Sequence, residues 1–169
     1  MHHSQAKPRA AESPNRKLGA LALILSACFG VAIIGGIVTS TSVDTWYPTL
    51  QKPPITPPDW LFGPVWSLLY FLMGIAAWLV WRCLGMRAMN ALLLFGIQLL
   101  LNLAWSLAFF GFKLIGTALI DILLLVVAVA ATTVAFWRID KRAGLLLMPY
   151  LVWISYAALL NGWIWVLNY

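Results

Sequence analysis

The chain has 169 residues, 63% of them hydrophobic and 9% charged, and a formal net charge of +6. A soluble domain carries about 25% charged residues, so these ionic groups are too few to cover a water-facing surface, whereas lipid solvates Leu, Val and Ile well. The positive excess does not mark a nucleic-acid binder, because it sits in a polar N-terminal stretch and between apolar runs, with no folded polar module to carry a basic face.

Residues 1–17 are polar, proline-containing and basic, and read as a disordered tail. A helix needs ~20 apolar residues to cross a hydrocarbon core of ~30 Å. Residues 18–40, 60–81, 88–110, 114–137 and 144–167 each meet that length. The expectation is an all-α integral membrane protein, a five-transmembrane-helix bundle filling residues 18–169. The first run is too long for a signal peptide, lacks a clear A-x-A site and precedes four more spans, so it reads as a retained helix. Three links are short and make their helices antiparallel neighbours.

The link 41–59 is long and holds five prolines. Prolines make it stiff, and Trp46, Tyr47, Leu50 and Ile55 suit a lid over a cavity better than a spacer. Nine of the eleven Lys and Arg residues fall on the N-terminal side of the bundle and only Lys52 and Lys113 on the other. By the positive-inside rule the expectation is a bacterial inner-membrane protein whose N-terminus would be cytoplasmic.

The first helix carries small residues at four-residue spacing, Ala22, Ser26 and Gly30, then Ala32, Gly36 and Ser40; the third offers Gly96, Ala104 and Ala108. Such stripes let backbones approach, either within the bundle or across a homodimer. Cys28 and Cys83 form no CxxC pair and read as small fillers. Asp59 is placed to cap the second helix, with Pro64 tolerated in its early turns. That helix then aligns Trp66, Tyr70, Met73 and Ala77.

In the third helix Gln98, Asn102, Trp105 and Phe109 share one face. The two amides serve either as interhelical glue or as orienting groups in an apolar cavity. Asp121, in the fourth helix, reads as part of a structural network, since no Glu, His, Lys or second Asp lies in the spans to make a proton relay. The fifth helix aligns Pro149, Trp153, Ala157 and Asn161, and Pro149 should bend or open it. Most of the ten tryptophans lie near helix ends and fit an interfacial belt. Trp66, Trp105 and Trp153 do not, and flat walls of this kind hold a planar ligand by stacking and area burial.

The only histidines are His2 and His3. No metal site of ordinary spacing exists, nor a Ser–His–Asp or Cys–His relay, nor a nucleotide-binding glycine motif. No cofactor is required by anything in the sequence.

The strings WYPTLQKPPITPPDWLFGPVWSLLYFLMG (46–74), QLLLNLAWSLAFFG (98–111) and PYLVWISYAALLN (149–161) resemble the TspO/MBR family, the tryptophan-rich sensory proteins that include the mitochondrial translocator protein, or peripheral benzodiazepine receptor. The resemblance implies a five-helix bundle, often dimeric, with a pocket opening toward the long loop. It implies binding of porphyrins, haem-type tetrapyrroles or sterols, although the chain ends at Tyr169 without the basic residue that the weak sterol-recognition pattern needs. Carried over by position, the pocket includes Trp46, Tyr47, Trp66, Asn102, Trp153 and Ala157. Where the family often has an aromatic residue, this chain has Ile55.

The leading expectation is a sensor or receptor of tetrapyrrole and stress metabolism. Its ligand-binding residues would be Trp46, Tyr47, Trp66, Tyr70, Gln98, Asn102, Trp105, Phe109, Trp153 and Ala157. Two alternatives stand beside it. One is light- and oxygen-dependent porphyrin breakdown, as reported for some family members, with Trp66 and Trp153 as the candidate catalytic residues. The other is transport of porphyrin or sterol, disfavoured by the small size, the lack of an inverted repeat and the isolation of Asp121.

Overall fold

The computed structural model describes residues 14–169, apart from the side chains of Pro14 and Met86. Helix α1 spans Pro14–Ser40, α2 Phe62–Leu84, α3 Met89–Ser106, α4 Ile115–Ile139 and α5 Lys141–Asn168. A π-helical turn, Leu107–Gly111, continues α3, and short 3-10 turns occupy Tyr47–Thr49, Asp59–Leu61 and Gly85–Ala88. No strand occurs among the described residues. Five helices are long and apolar enough to cross a membrane, and Leu, Ile and Val side chains of every helix lie on the outside of the bundle. The protein is an integral, multi-pass membrane protein.

Most of the tail expected over residues 1–17 lies outside the described residues, but positions 14–17 are the first turn of α1. The indole Nε1 of Trp78 donates to the Lys17 carbonyl at 3.0 Å, which ties that turn to α2. The last two helices meet sooner than their apolar runs suggest: α4 ends at Ile139 and α5 begins at Lys141. Apolar runs mark the hydrocarbon layer, whereas a helix continues past it while its ends are capped. Here Asp140 provides the cap, accepting the Arg142 N–H at 2.8 Å. Helix α5 stays continuous through Pro149, with no local opening in its assignment.

The helices close into a ring in the order α1, α2, α5, α4, α3. Although joined by only a short turn, α2 and α3 barely touch; α2 packs on α1 and α5, and α3 on α4 and α1. Gly85 permits this divergence: it caps α2 with φ 56°, a conformation that costs other residues strain. The core between the helices is filled by residues such as Met73, Val80, Ile122, Leu125, Phe136 and Ile154.

Close approach between helices is concentrated at a few glycines. A Cβ on Gly74 would lie 2.5 Å from Leu25 Cδ2, and one on Gly144 would lie 2.8 Å from Trp137 Cβ and 2.9 Å from its Cα. Gly30, Gly36 and Gly96, which the small-residue stripes singled out, have no neighbouring atom within 4 Å of such a Cβ. Within one chain those stripes therefore do not bring backbones together at their glycines.

Gly144→Ala, which forces a methyl against backbone, is expected to lower stability by about 1–3 kcal/mol. Gly30→Ala should be neutral or slightly stabilising, because it gains helix propensity in open space. Thermal unfolding of the two variants in one detergent measures the difference.

Candidate ligand-binding site

A cavity of about 370 Å³ lies between α1, α2 and α3 at the end of the bundle that carries the long loop. Its size falls within the ~300–1,000 Å³ of small-molecule sites. It exists because of a mismatch in side-chain size. The α1 wall is built from Ala32, Gly35, Gly36, Thr39 and Ser40, which leave open the space that larger residues would fill. Opposite stand the large rings of Trp66 and Tyr70 on α2 and Trp105 on α3. Lower down, α1 and α2 are drawn together at Gly74, against Leu25 and Cys28. Toward the loop they spread apart, and Gly36, Gly63 and Ser67, all in the lining, lie exposed on the outside of the bundle. The cavity thus has a side opening between α1 and α2, near the loop end of the bundle.

The deep end is fixed by hydrogen bonds. Asn102, 2% exposed, accepts from the Tyr70 hydroxyl through Oδ1 and donates from Nδ2 to the Tyr150 hydroxyl at 3.0 Å. One amide thereby links α2, α3 and α5. Trp66 packs against both tyrosines, with ring centroids 5.7 Å and 6.2 Å away. A second amide sets the pose of Trp105: the indole Nε1 donates to Asn161 Oδ1 at 3.0 Å, and Asn161 Nδ2 donates to the Ile115 carbonyl at 3.0 Å. Asn161, on the α5 stripe but not among the expected site residues, positions a wall of the cavity. Its depth in an apolar span is the sequence signal for such a role.

Of the expected site residues, Trp66, Tyr70, Asn102 and Trp105 come together in the lining. The others stand outside it. Gln98 is buried one turn below Asn102, where Nε2 approaches Met73 Sδ at 3.8 Å while Oε1 finds no partner. Trp153 lies on the seam of α2 and α5, edge-on to Phe62 at 6.1 Å, and touches the cavity only through that lining residue. Ala157, one turn further along α5, is partly buried.

Trp46, Tyr47 and Phe109 form a separate aromatic plug. Phe109 stacks on Trp105 at 5.4 Å and meets the edges of Trp46 and Tyr47 at 5.7 and 6.3 Å. The π turn brings this about: its extra residue per turn leaves both Phe109 and Phe110 buried. The plug seats the long loop, which is fastened elsewhere too. Ser42 Oγ donates to the Phe110 carbonyl at 2.7 Å, the Tyr156 hydroxyl to the Ile55 carbonyl, and Asn168 exchanges two 3.0 Å bonds with the backbone of Gln51. The loop reaches the cavity through Val43 and Asp59. Asp59 does not cap α2: no side-chain cap bond is made there, because the 3-10 turn Asp59–Leu61 carries the chain into the helix instead.

A sequence model of the TspO/MBR family matches residues 23–166. The chain belongs to the TspO/MBR family. It is 42% identical to the tryptophan-rich protein TspO of Chlorobaculum tepidum, over 91% of this chain and 99% of that one. It is 46% identical to the translocator protein of Homo sapiens, over 71% and 73%, and 40% identical to the tryptophan-rich sensory protein of Cereibacter sphaeroides, over 81% and 84%.

Two predictions follow from this geometry. Asn161→Ala leaves the Trp105 indole N–H without its acceptor in a dry site, and should cost about 1–2 kcal/mol, measured by thermal unfolding in detergent. Burial, with smaller contributions from Asp59 and Tyr156, pushes the Tyr47 hydroxyl from 10.0 up to about 12. A raised pKa keeps the phenol neutral in the fold, so its contribution to stability is complete below pH 10 and is lost as pH climbs toward 12. Wild type should therefore lose thermal stability relative to Tyr47→Phe across that window, with no difference in trend below it.

Proposed function

We propose that the cavity takes up a flat, apolar, membrane-dissolved ligand, with a tetrapyrrole as the leading class, and that the protein acts as a sensor or receptor for it. The observation that carries this reading is a space walled by Trp66, Tyr70 and Trp105, with Asn102 at its deep end and small residues opposite. Aromatic faces hold a planar guest by stacking and buried area, and the side opening between α1 and α2 admits it from the bilayer. The names of the relatives, tryptophan-rich sensory protein and translocator protein, agree with a sensing or translocating role. The basic residues gathered on the N-terminal side support an orientation with that side in the cytoplasm.

The test is a titration with protoporphyrin, read by tryptophan quenching and by the ligand's own absorbance. Gly36→Leu is the decisive variant, because Gly36 lines the cavity and a Cβ there meets nothing within 4 Å. The added side chain fills the space without a clash. Binding should weaken at least about tenfold while thermal stability is kept; unchanged binding would place the ligand elsewhere.

A second reading, light-dependent breakdown of the bound porphyrin, is favoured by Trp66, a redox-active indole in the wall with Tyr70 and Tyr150 in ring contact. Trp153 stands outside the lining. A bilin-like absorbance that grows under light and oxygen in wild type, and fails to grow in Trp66→Phe, would support it.

A further inference from the structure

The polar groups of the cavity wall are biased toward acceptors. Four serine and threonine hydroxyls line it, and each spends its proton on its own helix. Thr39 donates to the Gly35 carbonyl at 2.8 Å, Ser40 to Ile37 at 2.8 Å, Ser67 to Gly63 at 2.9 Å and Ser106 to Asn102 at 3.4 Å. What these hydroxyls turn toward a guest is lone pairs. The Tyr70 hydroxyl and the Trp105 indole N–H are likewise committed, to Asn102 and Asn161. Among the lining side chains only the Trp66 indole N–H and the second amide proton of Asn102 remain to donate.

Charge points the same way. The lining holds one formally charged side chain, Asp59 at the rim, and no Lys, Arg or His. Asp59 makes no cap bond and has no ion-pair partner among the described residues, so no cationic side chain within ion-pair distance cancels its charge. The two lysines at this end of the bundle stand away from the lining, Lys52 at 4.3 Å over the Tyr47 ring and Lys113 at 6.0 Å over the Trp46 ring. The carbonyl end of α1, with its partial negative charge, closes the same rim through Thr39 and Ser40. The N-terminus of α2 at Phe62 contributes the opposite sign, and the carboxylate lies beside it.

We infer that Asp59 makes this cavity select its ligand by charge, favouring a flat apolar body with an amine or N–H donors at its outer edge over the same body bearing carboxylates. This rests on the ligand-binding reading above. A tetrapyrrole dicarboxylate would have to bind with its acidic edge turned from Asp59, whereas an esterified or amine-bearing one meets no such restriction.

Three probes sharing one porphyrin ring test this: the neutral dimethyl ester, the free dicarboxylate, and a diamide carrying two terminal amines. They are titrated in an uncharged detergent at fixed salt into the full chain, its Asp59→Asn variant and its Asp44→Asn variant. Asp44 is an exposed acid of the same loop outside the lining, so it reports general surface charge.

A single unpaired carboxylate at a half-wet rim should separate the amine from the dicarboxylate by about 3–10-fold in wild type. Asp59→Asn should shrink that ratio to under about 2-fold, and Asp44→Asn should leave it unchanged. Ester binding without any charge order in wild type, or an equal collapse of the ratio in Asp44→Asn, would overturn the selectivity while leaving the cavity reading intact. Failure of the ester itself to bind wild type would overturn both.

Discussion

Two buried side-chain amides hold open the end of the bundle that carries the long loop. In lipid no hydrophobic force presses helices together, and packing and hydrogen bonds decide their spacing. Asn102 joins α2, α3 and α5 through the hydroxyls of Tyr70 and Tyr150, and Asn161 joins α3, α4 and α5 through Trp105 and the Ile115 carbonyl. Each bond is modest in energy, but a partner left bare at this depth is costly. The amides therefore fix where α2 and α3 stand, and those helices stand apart. The gap between them, roofed on one side by the small residues of α1, is the cavity.

The division of labour among aromatic residues follows from the same frame. Trp66, Tyr70 and Trp105 face the empty space, each pinned by a neighbour on another element. Trp46, Tyr47 and Phe109 fill space instead, and together with Phe110, which also borders the cavity, they anchor the loop. Trp60, Trp137, Trp163 and Trp165 are largely exposed near helix ends, as indoles at a membrane–water boundary are. One residue type serves three purposes, and depth along the helix together with face around it separates them.

The membrane-spanning bundle is plain in the sequence, because five apolar runs separated by charged or proline-rich links have no other economical solution in lipid. Trp66, Tyr70, Asn102 and Trp105 are legible as cavity residues because a polar or bulky ring on a helix face at mid-depth needs a reason. Helix ends are less legible: Asp140 and Lys141 look like linker until the cap is seen. The stripe of Ala32, Gly36 and Ser40 reads as a helix contact, since small residues usually mean close backbones. Here they mean the reverse, a void, and only the position of Trp66 and Trp105 across from them tells the two apart. Trp153 and Ala157 share a face with Asn161, but that face meets α2 and Phe62 before it meets the cavity. Helical periodicity gives a side chain's bearing, not what stands in its line of sight.

The π turn at Leu107–Gly111 also makes the chain sensitive to length at one spot. Its single surplus residue buries two successive phenylalanines and leaves the Phe110 carbonyl free to take the Ser42 hydroxyl. Removing one residue there would restore ordinary helical winding, in which two successive phenylalanines can no longer both turn inward. The loop would lose both its seat and its tether, though no residue of the loop itself had changed. A lone deletion in these five positions should thus be tolerated far less well than one in the outer stretch of the loop, and related chains of different length should differ elsewhere.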